Sequence, residues 1–170
     1  MFEHTAINPE LVQSIDQVYL LRQIATQFFV DQRIQQLTVQ TEIERARLSV
    51  ALVDVLKRAE KIEKVLVISS LSKVLEQIHK SFSLHTVYKT KFLLNSIDEN
   101  SEVNFIQYQK IFDLIGYDNK KVGEFLNQFD LIITDHIDDE KNEIFRRKII
   151  WYSNWLLNIQ MPVSESIALA

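Results

Sequence analysis

Cysteine is absent from the sequence, and glycine and proline occur only twice each. Without cysteine the chain can form no disulfide, no thiolate nucleophile and no structural zinc site of the usual cysteine-rich kind. The scarcity of glycine and proline disfavours all-β folds and long glycine-rich loops. No uncharged apolar run approaches the ~20 residues that cross a bilayer, and Met1–His4 lacks the apolar core of a signal peptide. We therefore expect a cytoplasmic protein.

The composition is that of a folded protein. Hydrophobic residues make up 46% of the 170 residues and charged residues 25%, which is ordinary for a globular chain and too apolar for disorder. The formal net charge is −4, so the overall charge favours neither nucleic acid nor an anionic membrane as a partner. The length allows one domain or two small ones.

Two helices are predicted in the first 61 residues. Asn8 and Pro9 are suited to a helix start, and apolar residues recur at helical spacing from there to about Phe29. A second apolar stripe predicts a helix over about 38–61. Because the first stripe is longer than one small sheet can cover, we expect a homodimer through the N-terminal helices. The candidate interface residues are Leu21, Phe28, Phe29 and Trp155.

From residue 64 onward the apolar residues no longer recur at helical spacing, and their pattern predicts strands. Continuous apolar runs predict buried strands at 65–68, 131–134 and 149–152, and an alternating run predicts another at 84–89. A helix over 71–82 makes the first pair a β-α-β unit with parallel strands. We expect an α/β fold in which the helical pair (1–61) precedes a domain (62–170) with a four-stranded parallel sheet ordered 2-1-3-4 and flanked by helices. Residues 92–117 stay unassigned.

Polar residues follow two of these strands, where open parallel sheets bind ligands. Ser69, Ser70 and Ser72 lie between a strand and a helix, so they could bind an anion or simply cap the helix. Phosphate-binding loops use glycine, and this one has none. The acidic run 135–140 could hold a divalent cation or be a solvated loop. No acid and nucleophile are grouped around a histidine, so we predict neither a catalytic residue nor a cofactor.

Several short strings resemble one family of bacterial regulators. Residues 37–52 resemble the last helix of a phosphotransferase regulation domain. Residues 64–69, 129–134 and 148–153 resemble strands of the enzyme IIB-like domain that follows it. Together, the order of these strings is similar to the C-terminal part of transcriptional regulators of the Mga and AtxA type.

The resemblance implies a non-catalytic regulatory and dimerisation module, not an enzyme. Ser69 stands where active IIB proteins carry a phosphorylated cysteine, and Arg47-Leu48-Ser49 stands where regulation domains carry a phosphorylated histidine. DNA would be bound only through a helix-turn-helix domain that this chain does not contain. Two alternatives stay open: a stand-alone protein-interaction domain, and a metal-dependent enzyme that uses the acids Asp135, Asp138 and Asp139 of the acidic loop 135–140.

Overall fold

A computed structural model describes residues 6–98, 100–137 and 143–161, and this part of the chain contains six helices and six strands. The helices are α1 (Ile15–Phe29), α2 (Glu42–Arg58), α3 (Ser72–His85), α4 (Tyr108–Ile115), α5 (Asn119–Asn127) and α6 (Glu143–Tyr152). The strands are β1 (Ile34–Thr38), β2 (Val65–Ser69), β3 (Thr90–Phe92), β4 (Val103–Gln107), β5 (Leu131–Asp135) and β6 (Trp155–Gln160). None of the described helices is long and apolar enough to cross a membrane.

All six strands form one parallel sheet in the order β1-β6-β5-β2-β4-β3. The central strands β2 and β5 are buried at every position, which is why their sequences are nearly continuous apolar runs. Each ends in a polar residue, and the register places Ser69 directly beside Asp135. The fold thus buries two polar side chains at the carboxyl edge of the sheet.

Helices cover both faces of the sheet, and alternate residues of β2 show the two layers. Val65 and Val67 pack with apolar residues of α1, α2 and α3. Leu66 and Ile68 pack with apolar residues of α4, α5 and α6. A central strand that contributes to two cores has no polar face, as parallel sheets require.

Helix α2 follows β1 after a three-residue loop and carries a buried charged residue. The hydroxyl of Thr41 accepts a hydrogen bond from the backbone N–H of Glu44 at 3.1 Å and so caps the helix. Most of the helix is buried between α1, α3 and the sheet, including the charged residue Arg45. Ser49 donates a hydrogen bond to the carbonyl of Arg45 at 2.7 Å.

The predicted sheet was wrong in its strand number and its order. Strands at 65–68 and 131–134 are confirmed as β2 and β5, and the two are neighbours. The stretch 84–89 is not a strand: α3 runs to His85, and Val87 is 96% exposed, so the alternating pattern does not mark a buried face. The stretch 149–152 is the end of α6. Continuous apolar runs of this length fit a buried strand or a helix equally well.

The arrangement of a helical pair followed by a separate sheet was also wrong. Strand β1 lies between the first two helices and pairs with β6 at the far end of the chain. The first 61 residues therefore contribute an edge strand to the common sheet. The unassigned residues 92–117 contain the end of β3, all of β4 and all of α4.

Candidate functional site

The carboxyl ends of the strands bring three connections to one edge of the sheet. The loop 39–41 leads from β1 into α2, Ser70 and Leu71 lead from β2 into α3, and His136 follows β5. The backbone N–H of Ser70 donates to the carbonyl of His136 at 3.1 Å and ties two of these connections together. In open parallel sheets, ligand sites occur at this edge.

A buried ion pair lies at the centre of this edge. The Nε atom of Arg45, in the first turns of α2, is 3.0 Å from Oδ2 of Asp135, and the two side chains are 1% and 2% exposed. The two atoms do not meet hydrogen-bond geometry, so the contact is ionic. The Nη2 atom of Arg45 also donates to Oε1 of Gln77 on α3 at 2.9 Å, and Gln77 in turn donates to Glu42 at 3.0 Å. Arg45 therefore links α2, α3 and β5.

Burial sets the electrostatics of this pair. It raises the pKa of Asp135 to about 7, while the charge of Arg45 and the backbone N–H of His136 oppose that rise. The pKa of His136 is lowered, first by burial and then by the charge of Arg45, against an opposing influence from Glu42. His136 has a φ of 47°, in the left-handed region that histidine enters more readily than most residues.

The β1–α2 connection has the strand–loop–helix form of a phosphate-binding loop. Such loops follow the pattern GxxxxGK[ST], in which backbone N–H groups and the lysine hold the phosphates and the hydroxyl holds Mg²⁺. The same eight positions in this chain read Val39-Gln40-Thr41-Glu42-Ile43-Glu44-Arg45-Ala46. Arg45 thus occupies the lysine position, and Asp135 stands at the carboxyl end of β5, where such sites have their metal-holding aspartate.

The residues present do not fit a nucleotide phosphate with Mg²⁺ held in the usual way. Val39 and Glu44 stand at the two glycine positions, and Ala46 has no hydroxyl to offer a metal. Glu42 and Glu44 place negative charge in the first turn of α2, where a phosphate would lie. Arg45 is already engaged by Asp135. The cation and the aspartate thus stand at the positions that they have in a phosphate site, but here they pair with each other.

A cavity of about 400 Å³ opens next to Asp135, on the face of the sheet that α6 covers. Its floor is apolar and includes Ile149 and Leu156. The hydroxyl of Thr134 donates to Oδ1 of Asn158 at 3.0 Å within its wall. The space has the size of a small-molecule site.

The three predicted anion-loop serines have separate roles. The side chain of Ser69 is buried and its hydroxyl accepts a hydrogen bond from the backbone N–H of Leu71 at 3.1 Å. Ser70 is half-buried, and Ser72 is the exposed first residue of α3. The cap position of α3 is Leu71, which makes no side-chain cap, so the predicted capping by a serine was wrong. Anion binding by this loop stays a prediction.

The acidic loop lies mostly outside the described residues, which include Asp135 but not Asp138, Asp139 or Glu140. Asp135 turns inward to Arg45. Among residues 6–98, 100–137 and 143–161, no three histidine or acidic side chains are grouped as metal ligands.

The four predicted interface residues belong to one apolar cluster of the chain, with Phe29 and Trp155 partly buried at its margin. Leu21 is fully buried, and Phe28 is 2% exposed. The ring of Phe28 stacks on Trp155 at 5.1 Å between centroids, and Phe29 meets the same ring edge-on at 5.3 Å. The chain's own core thus covers these four residues, whereas Ile15 and Tyr19 of the same helix are 66% and 63% exposed. Homodimerisation stays a prediction.

Arg45 was missed by the sequence reasoning, although two signals could have identified it. It is a charged residue among small and apolar residues of a buried helix, and it comes six residues after Val39, which directly follows β1. The second signal depends on recognising β1, whose two glutamines concealed it.

Comparison with known proteins gives structural matches only. No protein-family model matches the chain, and no curated protein matches it. One similar structure is a nuclease-deletion mutant of the Type ISP restriction-modification enzyme LlaGI in complex with a DNA substrate mimic: TM-score 0.57, 13% identity, 88% of this chain and 17% of that one. Another is the SWI2/SNF2 ATPase core domain of Sulfolobus solfataricus: TM-score 0.62, 13% identity, 90% of this chain and 32% of that one.

These matches correct the function expected from the sequence. They contradict the assignment to transcription regulation and the phosphotransferase system as a non-catalytic module, and they contradict the expectation that the chain is not an enzyme. The resemblance to Mga- and AtxA-type regulators is not itself tested by them. At 13% identity a structural likeness speaks for the fold alone: the chain has the RecA-like α/β fold found in these two proteins.

Proposed function

We propose that this chain is one lobe of a nucleic-acid-dependent ATPase core. The observation that carries the proposal is the meeting of Arg45 with Asp135 at the carboxyl edge of a RecA-like sheet. In phosphate-loop enzymes a cation that begins the first helix and an aspartate that follows a central strand flank the nucleotide phosphates. Both positions are occupied here by residues of the matching charge.

The two structural neighbours support both the nucleic-acid part and the ATPase part of the proposal. One was solved with a DNA substrate mimic, and the other is an ATPase core domain. This chain spans 17% and 32% of their lengths. Any ATPase activity of a protein that contains this lobe would therefore depend on further segments.

Restoring the phosphate-loop residues tests the proposal directly. The triple variant Glu44→Gly, Arg45→Lys and Ala46→Thr gives the loop a glycine, the lysine and the metal-holding hydroxyl while leaving the buried Val39 in place. We expect it to bind Mg-ATP at least about tenfold more tightly than the wild-type chain in calorimetry, which corresponds to about 1.4 kcal/mol. The gain should disappear when Mg²⁺ is omitted or when Asp135→Asn is added.

A matched control exists at the other end of the same helix. Arg58, Ala59 and Glu60 allow the same three kinds of change, as Arg58→Lys, Ala59→Thr and Glu60→Gly, and Glu60 already has a φ of 58° that glycine accepts. This control should bind Mg-ATP no better than the wild type. A folded loop variant, verified by circular dichroism, that gains no affinity over the control would show that the β1–α2 connection is not a modified phosphate loop.

We further propose a cytoplasmic location, for which the absence of cysteine is the support. Cell fractionation tests it. Recovery of the native protein outside the cytoplasm would contradict it.

A further inference from the structure

The face formed by α5 and α6 carries two exposed aromatic rings. Trp151, near the end of α6, is 76% exposed, and Tyr117, just before α5, is 65% exposed. Trp151 and Lys120 line the same open groove of about 620 Å³, and Lys148 contacts Tyr117. We call these four residues the α5–α6 surface.

This surface is remote from the Arg45–Asp135 pair. The groove is also lined by Arg33 and Asn154, which immediately precede β1 and β6 and so lie at the amino edge of the sheet. The Arg45–Asp135 pair lies at the carboxyl edge and on the side of α2 and α3. A ligand on one site would not touch the other.

One of the exposed rings, that of Tyr117, is held in place by contacts behind it. The ring of Tyr117 stacks on Phe112 at 4.6 Å with an interplanar angle of 28°. Lys148 donates a hydrogen bond from Nζ to the carbonyl of Tyr117 at 3.2 Å, which joins the start of α5 to α6. Groups that are fixed before binding lose less conformational entropy when a ligand arrives.

The two helices are basic although the chain is acidic. Helices α5 and α6 contain five basic residues and two acidic ones, in a protein of net charge −4. Arg147 on this side of α6 pairs with Glu143 at 3.1 Å, but both groups are more than two-thirds exposed, so the pair is weak. The basic residues are Lys120, Lys121, Arg146, Arg147 and Lys148.

We propose that the α5–α6 surface binds single-stranded nucleic acid. Bases would stack on Trp151 and Tyr117, and backbone phosphates would lie against Lys120 and Lys148. Proteins that bind single strands without sequence preference combine basic grooves with aromatic stacking platforms in this way. An acidic peptide would match the charge, but it would leave the two exposed rings without a stacking partner.

The inference goes beyond the proposed ATPase lobe and does not rest on it. It depends on exposed rings and charge at the amino edge, and nothing in it requires a nucleotide at Arg45. A negative result with nucleic acid would leave the calorimetric test of the phosphate loop unaffected. A negative result in that test would equally leave this surface in place.

The test measures fluorescence anisotropy of a labelled twelve-nucleotide oligo(dT) with the wild-type chain at low salt. We expect saturable binding that weakens as salt is added, because phosphate contacts release counterions. Trp151→Ala should weaken binding by about fivefold to a hundredfold, the range for loss of one stacked base. Lys120→Glu should weaken binding and reduce its salt dependence.

The matched control is Tyr19→Ala, which removes a ring that is 63% exposed on α1, on the other face of the sheet. It should bind oligo(dT) like the wild type. The proposal would be overturned if Trp151→Ala bound oligo(dT) as tightly as the wild type does. It would also be overturned if poly-glutamate displaced the labelled oligo(dT) as effectively as unlabelled oligo(dT) does. The latter result would assign the surface to acidic peptides. Absence of measurable binding by the wild-type chain would also overturn it.

Discussion

The guanidinium of Arg45 and the carboxyl of Asp135 meet at 3.0 Å inside the protein, each from a different layer of the fold. Arg45 belongs to the helix after the first edge strand, and Asp135 ends a central strand ninety residues later. Taking both charges out of water costs free energy that their attraction only partly returns. Removing one partner should therefore lower the free energy of unfolding by more than the intact pair contributes to it.

The first prediction concerns stability. Arg45→Ala should lower the free energy of unfolding by about 3–5 kcal/mol, because it leaves the buried Asp135 without its partner. The double variant Arg45→Met with Asp135→Leu should regain most of that loss, since apolar residues of similar size need no desolvation of charge. Urea unfolding followed by circular dichroism measures both.

Arg147→Ala is the control for that experiment, because its ion pair with Glu143 is exposed. It should change the free energy of unfolding by less than about 1 kcal/mol. If Arg45→Ala cost no more than this control, the pair would not be part of the structural core.

The second prediction concerns pH. The pKa of Asp135 is raised from 3.8 to about 7 by burial, so between these values the folded chain holds a proton that the unfolded chain has lost. The contribution of Asp135 to the free energy of unfolding is therefore largest at low pH. It falls as the pH rises toward 7 and is constant above that. The lowered pKa of His136 acts in the opposite direction, so only a comparison with Asp135→Asn isolates the effect.

The measured quantity is the difference in free energy of unfolding between wild type and Asp135→Asn. It should fall by more than about 1 kcal/mol from pH 4.5 to pH 8, since one pKa unit is worth about 1.4 kcal/mol. A flat difference over this range would mean that Arg45 keeps the carboxylate ionised throughout.

The two central strands β2 and β5 could be predicted from the sequence, and the other four strands were not. Buried on both faces, β2 and β5 are almost purely apolar, and the runs at Val65 and Leu131 show it. Strand β1 alternates between buried and exposed positions and contains two glutamines. The pairing that stabilises it comes from β6, more than a hundred residues away, and no local pattern reports such a contact.

The candidate site was hidden for the same reason. Asp135 was visible as a strand-end acid, but its partner is in a helix that the sequence predicted only as an apolar stripe. Arg45 becomes significant once β1 is known to precede α2 and β5 is known to lie within reach. The run from Ile149 to Tyr152 was predicted as a buried strand but belongs to a helix. Ile149 is buried and Trp151 is exposed, whereas residues two apart on a strand share one face.

The third prediction concerns Phe28, which was expected at a dimer interface and lies in the core at 2% exposure. Phe28→Asp should unfold the chain, because it places a carboxylate against Trp155 in an apolar cluster. Tyr19→Asp, at an exposed position of the same helix, should leave the fold intact. Circular dichroism and light scattering together measure fold and mass. A Phe28→Asp chain that is folded and monomeric, from a dimeric wild type, would instead support the interface prediction.

The fourth prediction concerns Gly123 on α5, where the helix approaches α6 closely. A Cβ at this position would lie 2.8 Å from Cε1 and 2.9 Å from Cδ1 of Tyr152, closer than non-bonded carbons allow. Gly123→Ala should therefore displace the ring and destabilise the chain by about 1–3 kcal/mol, the usual cost of overpacking, less the gain of up to about 1 kcal/mol that alanine brings to a helix.

The sign of this effect should reverse when the ring is removed. In a Tyr152→Ala background, Gly123→Ala meets no ring, and only its better helix propensity is left, so it should stabilise the chain by about 0.5–1 kcal/mol. Urea unfolding of the four members of this double-mutant cycle measures the coupling. Equal effects of Gly123→Ala in both backgrounds would show that the ring moves aside without cost, and that α5 and α6 are not held together at this point. Because α5 and α6 also carry Lys120 and Trp151, a large coupling would explain how the exposed groove keeps its shape.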